Sequence, residues 1–261
     1  MRILVFVKQV PETPDIRMDY ATGNLDFKNT PAIISPFDLY AVEEALLTAE
    51  KHSGEVTVLT MGPERTREVL KEALAMGCHQ AIRLWDDVMI GSDAWCTARI
   101  LAAAATKLSG FDVAFFGKHA VDGETAAVAG MFARLTGARW AAAAASVAFS
   151  SEGRAVAERT LESGKEKVEM DLPVVLSMVK DANKPRYASL LGLRKAAKAE
   201  ITVWGLGDLG LSTVEVGMAG SHVRVTNLAS PPDRTAGEIL IIEDAESAAA
   251  EVLKILTNLG R

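Results

Sequence analysis

The residues of this chain best suited to binding chemistry lie in one short stretch. Gly117-Lys118-His119-Ala120-Val121-Asp122-Gly123-Glu124-Thr125 follows an apolar run. It precedes a helical pattern that opens on Ala126, Ala127, Val128, Ala129 and Gly130. Glycines let main-chain N–H groups approach a ligand, and a helix N-terminus presents free N–H groups with partial positive charge. Thr125 is expected to add a hydroxyl donor in the first helical turn, and the small side chains after it leave room for a phosphate or a ribose. His119 lies in the same loop, placed to hydrogen-bond a ligand, with no visible partner for general-base work. On spacing alone, an ordinary strand-to-helix loop N-capped by Asp122 stands as the alternative, because neither GxGxxG nor a Walker pattern is present. Asp122 and Glu124 also oppose an anion unless they cap the helix or hold a ribose.

Elsewhere the sequence offers less. Cys78 and Cys96 read as small buried apolar residues. Trp85, Trp95 and Trp140 sit in core-like patterns, and Gly205-Leu206-Gly207 reads as a turn. No Ser/His/Asp set, paired carboxylates or metal constellation stands out.

The elements that must position the loop alternate. Residues 3–7, 55–60, 81–85 and 112–116 are short apolar runs of the kind that form strands buried on both faces, and 146–149 starts a fifth. Helical patterns fill the gaps at 36–52, 64–76, 92–108 and 125–135; the first is introduced by Ser35 as N-cap and Pro36 at N1. Such repetition implies an α/β fold with three layers and a parallel sheet. In the common 3-2-1-4-5 strand order the ligand crevice lies between the first and fourth strands, just after Val7 and Phe116. Residues 13–34 interrupt the first crossover, and the pieces 16–18 and 25–27 suggest a hairpin. After residue 150 the pattern shifts to strands at 155–160, 165–170 and 174–179, then a basic stretch at 186–198. Only 245–259 reads as a helix beyond that. Residues 1–199 are expected to form the α/β domain and 200–261 a C-terminal arm and helix that pack on another surface, since Val203, Trp204, Val214, Val216, Val223 and Val225 need burial.

Composition narrows the classes without choosing one. The chain has 261 residues, 28 Lys plus Arg, 34 Asp plus Glu and a formal net charge of −6. With 49% hydrophobic residues, disorder is excluded as the dominant state. Bulk-charge binding to nucleic acid is not expected from an acidic chain. Two cysteines exclude a disulfide framework, and no run approaches the ~20 apolar residues of a membrane span. The apolar start, residues 3–7, is too short for a secretory segment, so a cytoplasmic location is the expectation.

Several stretches together resemble the β subunit of electron transfer flavoproteins, over essentially the whole chain. They include Val7-Lys8-Gln9-Val10-Pro11; Ser35-Pro36-Phe37-Asp38 with Ala41-Val42-Glu43-Glu44-Ala45; and Leu59-Thr60-Met61-Gly62-Pro63 with Ala73-Leu74-Ala75-Met76-Gly77. A fourth runs from Ala157 and Arg159 through Glu162-Ser163-Gly164, Glu166 and Val168 to Pro173, Val175-Leu176-Ser177. Ser163 departs from the Gly or acid usual there. Pro185-Arg186-Tyr187-Ala188 and the 231–237 stretch (Pro231, Pro232, Arg234, Thr235, Ala236, Gly237) add to the likeness.

The resemblance implies an adenine-nucleotide-binding fold with a C-terminal arm, and a heterodimer with an α subunit carrying the redox-active FAD. No catalytic residue or metal is implied. The nucleotide site would use Phe6, Val7 and Lys8, the turns at Ser35, Phe37 and Asp38 and at Met61 and Gly62, and the loop from Gly117 to Gly130. Phe37 would lie near the α-subunit flavin, and Tyr187 and Leu190 would dock acyl-CoA-type or other flavin dehydrogenases, with NADH a possible donor. The β site would hold AMP in one branch and a second FAD in the bifurcating and nitrogen-fixation-associated branch. Lys8-Gln9-Val10-Pro11, Gly91-Ser92-Asp93 and Asp122-Gly123-Glu124-Thr125-Ala126 resemble the second branch. Its usual Gln-Val-Gly-Pro is here Ala127-Val128-Ala129-Gly130, and Phe37 also occurs in the AMP branch. The alternative from another class is a stand-alone nucleotide hydrolase or stress-type module of the same fold.

Overall fold

The computed structural model describes residues 1–12, 17–19, 24–26, 31–226, 237, 239, 241–242 and 244–259. The chain opens with β1 (Arg2–Phe6), β2 (Gln9–Pro11), β3 (Arg17–Asp19), β4 (Asn24–Asp26) and β5 (Ala32–Ile34). Then come α1 (Pro36–His52), β6 (Glu55–Met61), α2 (Arg67–Met76), β7 (Gln80–Leu84), α3 (Ala94–Lys107), β8 (Val113–Gly117) and α4 (Val128–Thr136). A run of strands follows, β9 (Arg139–Phe149), β10 (Arg154–Leu161), β11 (Gly164–Asp171) and β12 (Val174–Met178). The chain continues through α5 (Leu190–Lys198), β13 (Thr202–Trp204), α6 (Gly217–Gly220) and α7 (Ala245–Leu259).

Nine strands form one mixed sheet in the order β11-β10-β9-β12-β8-β1-β6-β7-β13. The expected 3-2-1-4 core is present as β7-β6-β1-β8, all parallel. The place beside β8 is taken by β12, and the strand expected there sits one position further out as β9. Burial explains the exchange. All five residues of β12 are buried, which suits an inner strand, whereas β9 has several exposed positions. β9 also starts seven residues earlier than the 146–149 run suggests. Its opening is mostly alanine, which has low strand propensity. β3 and β4 pair antiparallel, as the expected hairpin requires; residues 16 and 27, at its expected limits, lie outside the described residues.

Strand alternation feeds two cores. Ile3 and Val5 of β1 face α1 and α2 together with Val56, Val113, Phe115 and Leu176. Leu4 and Phe6 face α3 and α4 together with Leu59, Ala114 and Val175. The result is three layers, helices on both faces of the sheet. On the second face Phe132 of α4 meets Phe6, Phe116 and Phe111 at ring centroid separations of 5.0, 5.3 and 5.5 Å.

The chain divides into two units, Met1–Asn227 and Leu228–Arg261. The expected domain boundary at 199/200 thus falls inside the first unit. β13 adds to the sheet edge beside β7, and Ile201, Leu206, Leu209 and Val216 bury against the chain's own core. Of the residues expected to need another surface, Val216 is buried in the chain's own core and Trp204 packs half-buried against it. Val203, Val214, Val223 and Val225 remain exposed. In the second unit α7 is N-capped by Asp244, which accepts from the Ser247 N–H at 2.8 Å, and it leaves Val252, Leu253, Ile255 and Leu256 exposed. The motif residues 231–236 lie outside the described residues. Among the described residues no helix is long and apolar enough to cross a membrane.

Phe132 is fully buried at the centre of the aromatic cluster. Phe132→Ala is expected to cost about 3–5 kcal/mol, read as a lower urea midpoint with the slope unchanged.

Candidate functional site

β1 and β8 are neighbours whose chains leave toward opposite faces of the sheet, β1 toward α1 and β8 toward α4. That is the switch point where parallel sheets open a crevice. Past Val5 and Phe115, the last pair of the β1–β8 ladder, the N–H groups of Lys8 and Gly117 need acceptors. Both donate to one carboxylate, that of Asp38 in the first turn of α1: Lys8 N–H to Oδ2 at 2.8 Å and Gly117 N–H to Oδ1 at 3.1 Å. Gly117 has to be glycine, because a Cβ there would collide with Asp38 Oδ1 and stand 2.8 Å from the main chain of Phe37 and Asp38.

Ser35 to Asp38 has the spacing of a capping box, in which the two side chains would close on the helix. The carboxylate is turned instead to the strand ends. Ser35 occupies the N-cap position as expected, but its hydroxyl makes no capping bond, is fully buried and has no partner among the described residues. Its main chain is committed, with the Ser35 N–H donating to the Lys8 carbonyl at 2.9 Å and the Asp38 N–H to the Ser35 carbonyl at 2.8 Å.

The loop after β8 corrects two expectations. α4 begins at Val128, so Thr125 precedes the helix rather than standing in its first turn. Asp122 is no N-cap; it pairs with the Lys8 ammonium at 2.7 Å. Glu124 and Ala126 adopt left-handed backbone, φ 49° and 51°, which halts helix propagation before Ala127. Ala127 is the N-cap, without a side-chain capping bond, so no side chain closes the N-terminus of α4. Residues 121–126 are exposed, and nothing lies within 4 Å of a Cβ placed on Gly123.

The other expected site residues divide between crevice and core. The Phe37 ring packs on His119 at 4.5 Å. Phe6 turns into the aromatic cluster, stacked on Phe116 at 4.4 Å, so only its main chain faces the crevice. Val7 is buried and bonds β6 through its N–H to the Leu59 carbonyl, 3.0 Å. Met61 is half-buried, and Gly62 is packed against Thr66. Gly130 is bare because Trp140 lies over it, 2.8 Å from a would-be Cβ. The sequence reading missed Arg83 on β7, whose guanidinium is buried against the turn after β6, 2.7 Å from Glu64 and 3.3 Å from the Gly62 carbonyl. Its signal was a lone charge inside the apolar run 81–85.

The segment after β12 is tied to α1. The Arg186 guanidinium donates to the buried Glu43 carboxylate at 2.9 Å and also reaches Glu50, while the Asn183 amide donates to the Tyr40 carbonyl at 3.0 Å. On this base Tyr187 and Leu190 are 97% and 81% exposed. α5, not expected from the sequence, is capped by Ser189, whose hydroxyl accepts the Gly192 N–H at 2.9 Å. The stretch from Ala157 to Pro173 is structural: β10 and β11 pair with Arg159 opposite Glu166, 3.4 Å apart, around a turn at Glu162 and Ser163. Both cysteines are buried, and burial pushes the Cys78 thiol up to about 12.

Burial raises the Asp38 carboxyl from 3.8 to about 7, against the two N–H donors, which hold it down. The folded protein therefore binds this proton more tightly than the unfolded chain does. The stabilisation is complete below pH 3.8 and is lost as pH rises through about 7. Relative to Asp38→Asn, the wild type is expected to lose on the order of 4 kcal/mol between pH 4 and 8, measured by urea unfolding at each pH.

Comparison with known proteins accords with this architecture. The electron transfer flavoprotein domain matches residues 22–209. The chain is 37% identical to the caffeyl-CoA reductase-Etf complex subunit CarD of Acetobacterium woodii, over 92% of each chain. It is 38% identical to the electron transfer flavoprotein subunit beta of Thermoanaerobacterium thermosaccharolyticum, again over 92% of each. It is 34% identical to the protein FixA of Azorhizobium caulinodans, over 97% of this chain and 92% of that one. By likeness along nearly its whole length, the chain belongs to the electron transfer flavoprotein β-subunit family.

Proposed function

We propose that the chain pairs with an α subunit as a heterodimeric electron carrier, holds an adenine nucleotide in the β1/β8 crevice, and docks flavin dehydrogenases through Tyr187 and Leu190. The observation that carries the nucleotide reading is the α4 N-terminus. It has no side-chain cap and follows an exposed loop whose entry, at Gly117, has no room for a side chain. Main-chain N–H groups at such a terminus suit phosphate oxygens. The orphaned Ser35 hydroxyl, buried at the same crevice, is a further donor without a partner. The residues present thus fit a phosphate group.

Within that reading FAD, rather than AMP, is the nucleotide of the β site. Support comes from the stretches at Lys8-Gln9-Val10-Pro11 and Asp122-Gly123-Glu124-Thr125-Ala126 and from the FixA and CarD relatives. A bound flavin supplies the redox chemistry. The chain binds, orients and shields it: the loop after Gly117, fastened to β1 by the Lys8–Asp122 pair, meets the phosphates, and Phe37, backed by His119, presents a ring toward the α-subunit flavin. Arg186, fixed by Glu43 and Glu50, holds the docking segment in place, so an exposed leucine meets a partner with little ordering cost. The carrier works in the cytoplasm.

The purified complex is expected to contain about two flavins per αβ unit by absorbance after denaturation. One flavin with AMP identified by mass spectrometry would place AMP in the β site, and a monodisperse, flavin-free ATPase would overturn the carrier reading. Leu190→Ala is expected to slow electron exchange with a partner dehydrogenase about tenfold, the weight of one interface anchor, with flavin content unchanged.

A further inference from the structure

The crevice poses an electrostatic problem for the ligand proposed above. Its acidic groups are Asp38 at the strand ends and Asp122 and Glu124 on the loop, and a pyrophosphate would meet all three. Asp122 is neutralised by the Lys8 ammonium at 2.7 Å. Glu124 is exposed, so water screens it. Asp38 is buried, accepts only main-chain N–H groups, and lacks a cation of its own, because the one at hand is spent on Asp122.

We propose that an anionic nucleotide enters the β1/β8 crevice together with one proton, taken from water onto the Asp38 carboxylate. The inference rests on the nucleotide reading of this crevice. Protonation removes the buried negative charge nearest the crevice floor, and a protonated carboxyl still accepts from the Lys8 and Gly117 N–H groups through its lone pairs. The strand ends therefore stay tied while the charge disappears. The groups that face Asp38 set the balance. From the β1 side Lys8 acts through its N–H and its ammonium. From the loop after β8 come the Gly117 N–H and the Asp122 carboxylate, with Lys118 and His119 on the same loop; from α1 itself comes the Phe37 ring, packed on His119. Burial, aided by the Asp122 charge and opposed by the two N–H donors and the Lys8 ammonium, brings the Asp38 carboxyl to about 7 without a ligand, so an added anion pushes it higher and draws in a proton near neutrality.

The test titrates FAD, whose pyrophosphate exchanges no proton near neutrality, into nucleotide-depleted αβ complex by calorimetry. Two buffers of different ionisation enthalpy are used at each pH from 5.5 to 8.5. The expected result is uptake approaching one proton per FAD at the β site above pH 7, none at 5.5, and affinity falling about tenfold per pH unit on the alkaline side. Asp38→Asn is expected to abolish both the uptake and the slope. Asp122→Asn, which leaves Asp38 in place, is expected to move the transition to lower pH with the slope intact. Binding without proton uptake, or uptake unchanged in Asp38→Asn, would overturn the proposal alone. No FAD binding at the β site at any pH would overturn the nucleotide reading and the proposal with it.

Discussion

Two parallel strands that part company at the middle of a sheet leave main-chain N–H groups with nothing to bond. In this chain one carboxylate, that of Asp38, takes both, and much of the molecule's functional end is arranged around it. It ties the end of β1 to the end of β8 and both to the first turn of α1. It forces Gly117 to be bare and diverts the first turn of α1 from the capping bonds its sequence suggests, leaving the Ser35 hydroxyl buried and unbonded. Burial costs such a group its charge, and its near-neutral titration follows from position rather than from any ionic partner.

The site around it is built from main chain and small residues more than from reactive side chains. Left-handed backbone at Glu124 and Ala126 delays α4, so its N-terminus opens free of any side-chain cap onto an exposed loop. Lys8 is used twice, its N–H on Asp38 and its ammonium on Asp122, and so fastens the loop to the strand ends. An arrangement of this kind suits the proposed role of holding and orienting a cofactor that brings its own chemistry. The segment carrying Tyr187 and Leu190 is built differently: buried Glu43 and its Arg186 partner fix the base, and the apolar tip is left in solvent.

Much of the fold was legible in the sequence because β-branched and aromatic runs mark buried parallel strands. The runs at 3–7, 55–60, 81–85 and 112–116 all became strands, in the relative order expected. What failed has physical causes. Alanine signals neither strand nor left-handed backbone, so the start of β9 and the delay of α4 at Ala126 were invisible. α5 was missed because it is only nine residues long and carries Gly192 and three basic residues, so the helical spacing of Leu190, Leu193 and Ala196 gave a weak signal. The switch point between the first and fourth strands followed from topology, but the part Asp38 plays in it did not: Asp38 came in only through the family resemblance, as one residue of a turn. Its bonds depend on strands 30 and 79 residues away, and no local pattern reports them.

Amide hydrogen exchange at Lys8 and Gly117, compared between the wild type and Asp38→Ala, tests the central tie most directly. If one carboxylate holds both strand ends, the two amides are protected in the wild type. Both lose protection together in the variant, while Val5 and Phe115, inside the ladders, keep theirs. Loss at only one of the two amides, or protection unchanged at both, would contradict the account.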